Sequence, residues 1–201
     1  EAAVHAAIQL LANQKLKVGI YAGQGCMDFS DALTRVAEML QAPVATSVSG
    51  KGVISECHPL SVGWGYGPHA TLTAEKIFKG KPLLPNHHGV DLVLAIGVRY
   101  SEVSTGFYGN PKKRVIHVDA NKDNLGRAVE AEHCVHADAG LFLSKLRECG
   151  SRLRRPADMH HLARIRELKV EEQKKHSVPE SRCGGDPMLF ILALRKCLPD
   201  D

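Results

Sequence analysis

The sequence is short of aromatic residues and has no paired-cysteine motif, no basic run and no apolar stretch that could cross a bilayer. Each shortage removes a class of function. Aromatic residues make up 5% of the 201, and the net charge of +4 is spread without a long basic block. Dedicated nucleic-acid binding wants a basic stripe and stacking aromatics, so both features argue against it. The basic cluster of Arg152, Arg154 and Arg155 falls in what reads as a linker, and we read it as a solvated face. Six cysteines are present, Cys26, Cys57, Cys134, Cys149, Cys183 and Cys197, with no C-x-x-C pair and no zinc spacing. A chain of this length with its own core needs no disulfide staples, so they read as free thiols in a reducing, cytoplasmic compartment. Cys26 follows a glycine turn and reads as an inert thiol. Among the histidines, His87-His88 and His160-His161 are adjacent pairs whose side chains point apart on a strand or helix, so they read as exposed polar residues and not as metal ligands. The longest apolar runs are far below the ~20 residues that a membrane helix needs, and no secretory segment is evident. There are no internal repeats or low-complexity tracts. The chain starts at Glu1 without methionine and stops at Asp201, and both ends read as cuts.

What is present is a core and a repeating pattern of strand, glycine turn and helix. Hydrophobic residues make up 44% of the chain, ordinary for a globular domain. Lys17 to Ala22 reads as a buried strand, with Val18, Ile20 and Tyr21 ahead of Gly23-Gln24-Gly25. Ser30 or Asp31 supplies an N-cap, and Leu33, Val36, Ala37 and Leu40 recur at helical spacing. Pro43 to Thr46 is the next strand, followed by the turn Ser47-Val48-Ser49-Gly50-Lys51-Gly52. This is a βαβ unit, whose parallel strands need such a crossover. In open α/β sheets, ligands bind in the crevice beyond the strand C-termini.

The remaining chain extends the same pattern. A helix spans Ala2 to Asn13. His58 to Gly63 reads as an extended loop, and a helix begins at Pro68 and runs to about Phe78. Lys79 to Val90, with two prolines and two glycines, is a loop. Asp91 to Ile96 is a continuous apolar strand, as a parallel strand covered on both faces should be. Gly97 ends it, and Arg99 to Gly109 is irregular. Arg114 to Val118 is another strand with Asp119 at its C-terminal end. Leu125 to Glu130 reads as a short helix and Cys134 to His136 as a last strand. Asp138 caps a helix whose buried face carries Leu141, Phe142, Leu143 and Leu146. Beyond Gly150 the sequence changes to a basic linker, then a charged segment from Asp158 to Lys175 with a thin stripe of Leu162, Ile165 and Leu168. A last helix, Met188 to Leu198, is apolar around much of its girth and would need a partner surface.

A nucleotide asks three things of such a crevice. Its phosphates want uncovered backbone N–H groups near a helix start, which Gly23, Gln24 and Gly25 would provide. Its ribose wants a carboxylate at a strand end, and Asp119 is placed for that. Its ring wants close backbone and apolar walls, available near Ser47 to Ser49 and Tyr66 to His69. Gly23-Gln24-Gly25 is not a full G-x-G-x-x-G motif, because Asp28 occupies the last position. Lys51 reads equally as a phosphate ligand or a solvated turn residue, and Asp119 equally as a ribose acceptor or as a cap acting through Asn121.

The segments YAGQG, PVATSVSGKGVISECHPLSVGWGYG, DLVLAIGVRYSEVSTG and KRVIHVDANKDNLGR, in this order and spacing, resemble the central domain of thiamine-diphosphate-dependent enzymes, most closely acetolactate synthase and its relatives. The resemblance covers roughly residues 1 to 146. It implies a three-layer α/β/α sandwich with a mostly parallel, Rossmann-like sheet of the NAD/FAD-binding type. It divides the chain into a nucleotide-binding-like unit at 1–149 and, at 150–201, a linker with the first helix of a pyrophosphate-binding domain. It places FAD or ADP on Gly23, Gln24, Gly25, Ser47, Val48, Ser49, Gly67, His69, Gly97, Arg99, Asp119 and Asp138, with Tyr66, Pro68, Ala120 and Ala139 alongside. Ser101 and Val103 depart from the family, whose FAD-binding members carry an acidic residue and an arginine there. The resemblance further implies a parent that decarboxylates a 2-oxo acid and transfers the acyl unit, using thiamine diphosphate and magnesium. The catalytic glutamate and metal-binding GDG motif then lie in flanking domains of the same chain, and the parent is a homodimer or homotetramer, bound to neither nucleic acid nor membrane. The fragment alone would be inactive. The rival readings are a stand-alone sirtuin-like NAD-binding enzyme, which the cysteine spacing disfavours, and a structural module with an empty crevice.

Overall fold

Three buried apolar segments set the architecture: β1 (Val18–Ala22), β4 (Leu92–Ile96) and β5 (Arg114–Asp119). Every residue of β1 and β4, and all of β5 except Arg114, is buried, as strands covered on both faces require. With β2 (Val44–Thr46), β3 (Ser61–Trp64) and β6 (His133–His136) they form one six-stranded parallel sheet in the order β3-β2-β1-β4-β5-β6. The structure is a computed structural model and describes residues 1–65, 70–80, 89–100, 113–175 and 187–199.

The helices are α1 (Ala2–Leu11), α2 (Ser30–Leu40), α3 (Leu72–Lys79), α4 (Ala139–Glu148), α5 (Gly150–Leu153), α6 (Met159–Lys175) and α7 (Pro187–Cys197). The chain steps one way from β1 to β2 and back from β3 to β4. Right-handed crossovers therefore put α2 and α3 on opposite faces. α2 packs with α4, and α3 with α6, so helices cover the sheet on both sides. The architecture is the three-layer α/β/α sandwich expected from the sequence. Its core is a single cluster that includes Tyr21, Phe78 and Phe142, each fully buried.

Several local expectations are corrected. His58 to Gly63 was expected as an extended loop, but Ser61–Trp64 pairs with β2 as the edge strand, through a register shift at Val44/Ala45. Gly63 at that irregularity has φ +93°, a conformation glycine adopts without cost. Leu125 to Glu130 is not a helix: a 3-10 turn at Lys122–Asn124 is followed by Gly126 at φ +68°, which ends any helical path. Neither Ser30 nor Asp31 is the N-cap of α2. A 3-10 turn at Gln24–Phe29 leads directly into the helix, with Phe29 at the cap position and Asp31 in the first turn, where its charge faces the positive dipole end.

The 150–156 stretch is also more structured than a solvated linker. Arg152 and Arg154 are exposed, but Arg155 turns inward and donates to the carbonyls of Leu16, Leu11 and Asn13. His161, expected to be exposed, is half-buried with its Nε2 away from solvent. The thin stripe of α6 does what its spacing suggests, since Ile165 and Leu168 are each 1% exposed. The apolar α7 leaves Phe190 68% and Ile191 57% exposed, so its own chain does not cover it among the described residues. Tyr66 to His69, Ser101 to Gly109 and most of Lys79 to Val90 lie outside the described residues.

Candidate functional site

A crevice of about 460 Å³ opens where the C-terminal ends of five strands meet. Gln24 and Gly25 line it from the β1 turn and Ser47, Val48 and Ser49 from the β2 turn. Gly97, Val98, Arg99 and Tyr100 come from beyond β4, Asp119, Ala120 and Asn124 from β5, and Asp138 and Ala139 from the approach to α4. The crevice lies at the point where the strand order reverses, between β1 and β4, the usual place for a ligand in such sheets.

The floor is made by two glycine turns packed against each other. The Gly23 N–H donates to Ile96 O at 2.9 Å, the Gly25 N–H to Gly97 O at 3.1 Å, and the Cys26 N–H to Gly23 O at 3.0 Å. The N–H groups of Gly23 and Gly25, expected to stay uncovered for phosphate, are thus already taken. The glycines serve close approach instead. A Cβ on Gly25 would stand 2.8 Å from Gly97 Cα, and Gly97 itself has φ +59°.

Beneath this floor Cys26 is fully buried and its Sγ–H donates to Ile96 O at 3.4 Å. Burial pushes its pKa up to about 12, with Asp138 and Asp119 adding to the rise. The thiolate is therefore scarce at neutral pH, and the inert reading of this residue fits its surroundings.

The walls differ in chemistry. Val48 is 53% exposed on the β2 turn, an apolar surface for a flat ring. Asp119, 8% exposed, accepts at Oδ1 from Asn121 N–H at 2.7 Å and from Asn124 Nδ2 at 3.1 Å. The capping contact through Asn121 is therefore real, and both bonds fall on one oxygen. Asp138 is the N-cap of α4, accepting from Leu141 N–H at Oδ1. Arg99 is exposed at the rim. Tyr100 holds φ +53°, uncommon for a non-glycine residue. Its buried ring lies 5.4 Å from that of Tyr21 and edge-on to that of His117 at 5.3 Å.

His117 is a satisfied core residue. Its Nδ1 accepts from Gly126 N–H at 3.2 Å, which leaves Nε2 as the donor to Val98 O at 2.8 Å. Burial lowers its pKa, against smaller opposing effects from Val98 and Asp119.

The family model for the thiamine pyrophosphate enzyme central domain matches residues 4–146. The chain belongs to this family. It is 30% identical over 205 residues to the acetolactate synthase large subunit of Parasynechococcus marenigrum, covering 100% of this chain and 31% of that relative. It is 33% identical over 146 residues to the probable acetolactate synthase large subunit of Methanococcus aeolicus, covering 70% and 22%. Acetolactate synthase isozyme 1 large subunit of Escherichia coli is 25% identical over 129 residues, covering 63% and 21%. The chain thus spans a third or less of these relatives.

In this thiamine pyrophosphate enzyme central domain, nine positions singled out from the sequence border one crevice: Gln24, Gly25, Ser47, Val48, Ser49, Gly97, Arg99, Asp119 and Asp138. Gly23 lies below them in the floor, while Gly67 and His69 are outside the described residues. Lys51 pairs with Glu56 at 3.3 Å on the surface and does not line the crevice. Sequence reasoning passed over Val98, Tyr100 and Asn124. The positive φ of Tyr100 leaves no signal in residue type. Asn124, five residues after a strand-end aspartate, could have been found as the second donor to that carboxylate.

Proposed function

We propose that this domain serves in an acetolactate-synthase-like parent as a brace between catalytic domains and holds the adenosine end of FAD or ADP in its crevice. The observation that carries the reading is Asp119: a nearly buried carboxylate at a strand end, steadied through one oxygen, on a crevice at the switch point of the sheet. Support for the size comes from the volume of about 460 Å³, within the ~300–1,000 Å³ common for small-molecule sites. Val48 offers the ring an apolar wall. Because the N–H groups of Gly23 and Gly25 are engaged and Asp138 already caps the start of α4, phosphate recognition falls to Arg99 at the rim.

In this proposal residues 1–149 are the nucleotide-binding-like unit, and 150–201 lead into a following pyrophosphate-binding domain. The parent is a cytoplasmic homodimer or homotetramer that decarboxylates a 2-oxo acid and transfers the acyl unit. Thiamine diphosphate, with magnesium, supplies the carbanion chemistry from sites outside this chain. The 201 residues alone are then expected to give no turnover with a 2-oxo acid, thiamine diphosphate and magnesium.

Calorimetry with FAD, ADP, NAD and CoA tests the crevice. Binding of FAD or ADP, weakened roughly tenfold or more by Asp119→Asn through loss of a charged acceptor, is the expected result. The asparagine keeps an oxygen for Asn121 and Asn124, so melting should change little. Silence for all four ligands would leave the structural reading in its place.

A further inference from the structure

Edge strand β3 is four residues long, contains a glycine at φ +93° and, among the described residues, pairs on one side only, with β2. A short, irregular edge strand makes few ladder hydrogen bonds of its own, so contacts from outside the sheet weigh more in holding it. Here the anchoring comes from α6. Lys169 Nζ donates to Glu56 O at 2.8 Å and to His58 O at 3.1 Å. His58 O also accepts from Ser61 N–H, the first residue of β3, at 3.0 Å. One turn further along α6, Glu172 takes the start of α3. Its Oε1 accepts from Leu72 N–H at 2.8 Å, and its Oε2 from Thr73 Oγ1 at 2.7 Å and Thr73 N–H at 3.4 Å. These are orphan donors of a helix N-terminus that carries no side-chain cap of its own. Lys76 of α3 donates to both oxygens of Glu171 at 3.0 Å. Between the polar grips, Ile165 and Leu168 enter the core.

The two grips fall on either side of β3, on the lead-in at His58 and on the helix after it. The strand is in turn linked to the crevice, since Gly65 N–H donates to Thr46 O at 2.8 Å, one residue before the Ser47–Ser49 turn. The family match stops at residue 146, before α6 begins.

We infer that α6 is a strap that fastens the β3–α3 corner, so that residues 159–175 open and close together with that corner and couple the segment leaving the domain to the β2 side of the crevice. The central unit in this respect extends to Lys175. The inference stands whether or not the crevice holds a nucleotide, because its test reads backbone opening and no ligand.

Native-state hydrogen exchange on the full chain at rising denaturant is the primary test. Amides of α6 and those of Ser61, Gly65, Leu72 and Thr73 are expected to share one opening transition, separate from Ile20 and Leu94 in the sheet centre. Glu172→Ala should speed exchange at Leu72 and Thr73 by roughly tenfold, the weight of about one lost charged hydrogen bond. Glu172→Gln, which keeps an acceptor oxygen, should do less. Lys145→Ala, which breaks the exposed pair with Glu148 on α4, serves as control and should leave the corner unchanged. If Glu172→Ala does not fold, the wild-type exchange still decides. Opening of α6 at low denaturant with the corner still protected would overturn the inference. So would unchanged exchange at Leu72 and Thr73 in a folded Glu172→Ala.

Discussion

Gly23 and Gly97 stand back to back at the switch point of the sheet, so close that a Cβ on Gly23 would overlap the carbonyl of Gly97. The obstacle is backbone on both sides, and neither turn can yield without breaking the bonds from Gly23 N–H to Ile96 O and from Gly97 N–H to Val118 O. Gly23→Ala should therefore cost about 3 kcal/mol or more, the range of forced overpacking with backbone movement. Gly97→Ala should be comparably harmful, since it combines φ +59° with a Cβ at 2.7 Å from Gly25 Cα. Denaturant midpoints measure both. A loss below 1 kcal/mol would mean that the turns are not as tightly apposed as described.

Burial lowers the pKa of both His117 and His161. In the unfolded chain each titrates near ~6.5. As pH falls through that value the unfolded state takes up protons that the folded state refuses, so stability is lost on the acidic side and retained above it. The unfolding midpoint should be flat above roughly pH 7 and fall between about pH 6.5 and 5, with each histidine contributing at most about 1.4 kcal/mol per pH unit. His117→Gln can still accept from Gly126 and donate to Val98, and it should flatten the profile. A profile that keeps its full slope in a His117→Gln, His161→Leu double variant would assign the pH dependence elsewhere.

These two sites show how far the sequence could be read. β1, β4 and β5 were legible because a strand buried on both faces needs mostly apolar residues, and VGIYA, LVLAI and VIHV supply them, with His117 the one polar interruption and satisfied by Val98 O and Gly126 N–H. Ser61–Trp64 carried no such signal. Its glycine and the nearby Pro59 read as loop, and it is a strand only because β2 pairs with it and α6 anchors its approach. The crevice was legible as a set of glycine-bearing turns, but the purpose of the glycines was not. Whether a turn's N–H faces a ligand or a neighbouring carbonyl depends on what the second turn does, and Gly23 and Gly97 are 74 positions apart. Arg155 was misread for a related reason. Its neighbours Arg152 and Arg154 are solvated, and nothing local shows that α1 ends with free carbonyls beside it.

The thiols offer a check on the floor of the crevice. Cys57, Cys134 and Cys197 are exposed, whereas Cys26 is fully buried with its pKa raised to about 12. Alkylation depends on the thiolate and on access. Under native conditions at pH 7.5, iodoacetamide should modify the three exposed cysteines promptly and leave Cys26 untouched until the chain is denatured. Peptide mass spectrometry resolves the positions. Early modification of Cys26 would mean that the two glycine turns separate readily.

Arg155 joins the chain beyond α5 to the opposite end of the sheet from the crevice. Its guanidinium donates to Leu16 O, to Leu11 O at 3.0 Å and to Asn13 O at 3.2 Å, so it closes the carbonyls at the C-terminal end of α1 and of the turn into β1. A cation suits that end of a helix, where the dipole is negative. Arg155→Ala leaves Leu11 O and Leu16 O to find water in a partly enclosed place, while Asn13 O keeps the Leu16 N–H at 3.1 Å, and about 2 kcal/mol of stability should go with it. Arg155→Lys restores the charge but not the fork that reaches separate carbonyls, so it should recover only part of the loss. Thermal unfolding of the three proteins orders them. An alanine variant equal to wild type would return Arg155 to the solvated role its neighbours play, and the 150–156 stretch to a passive connection.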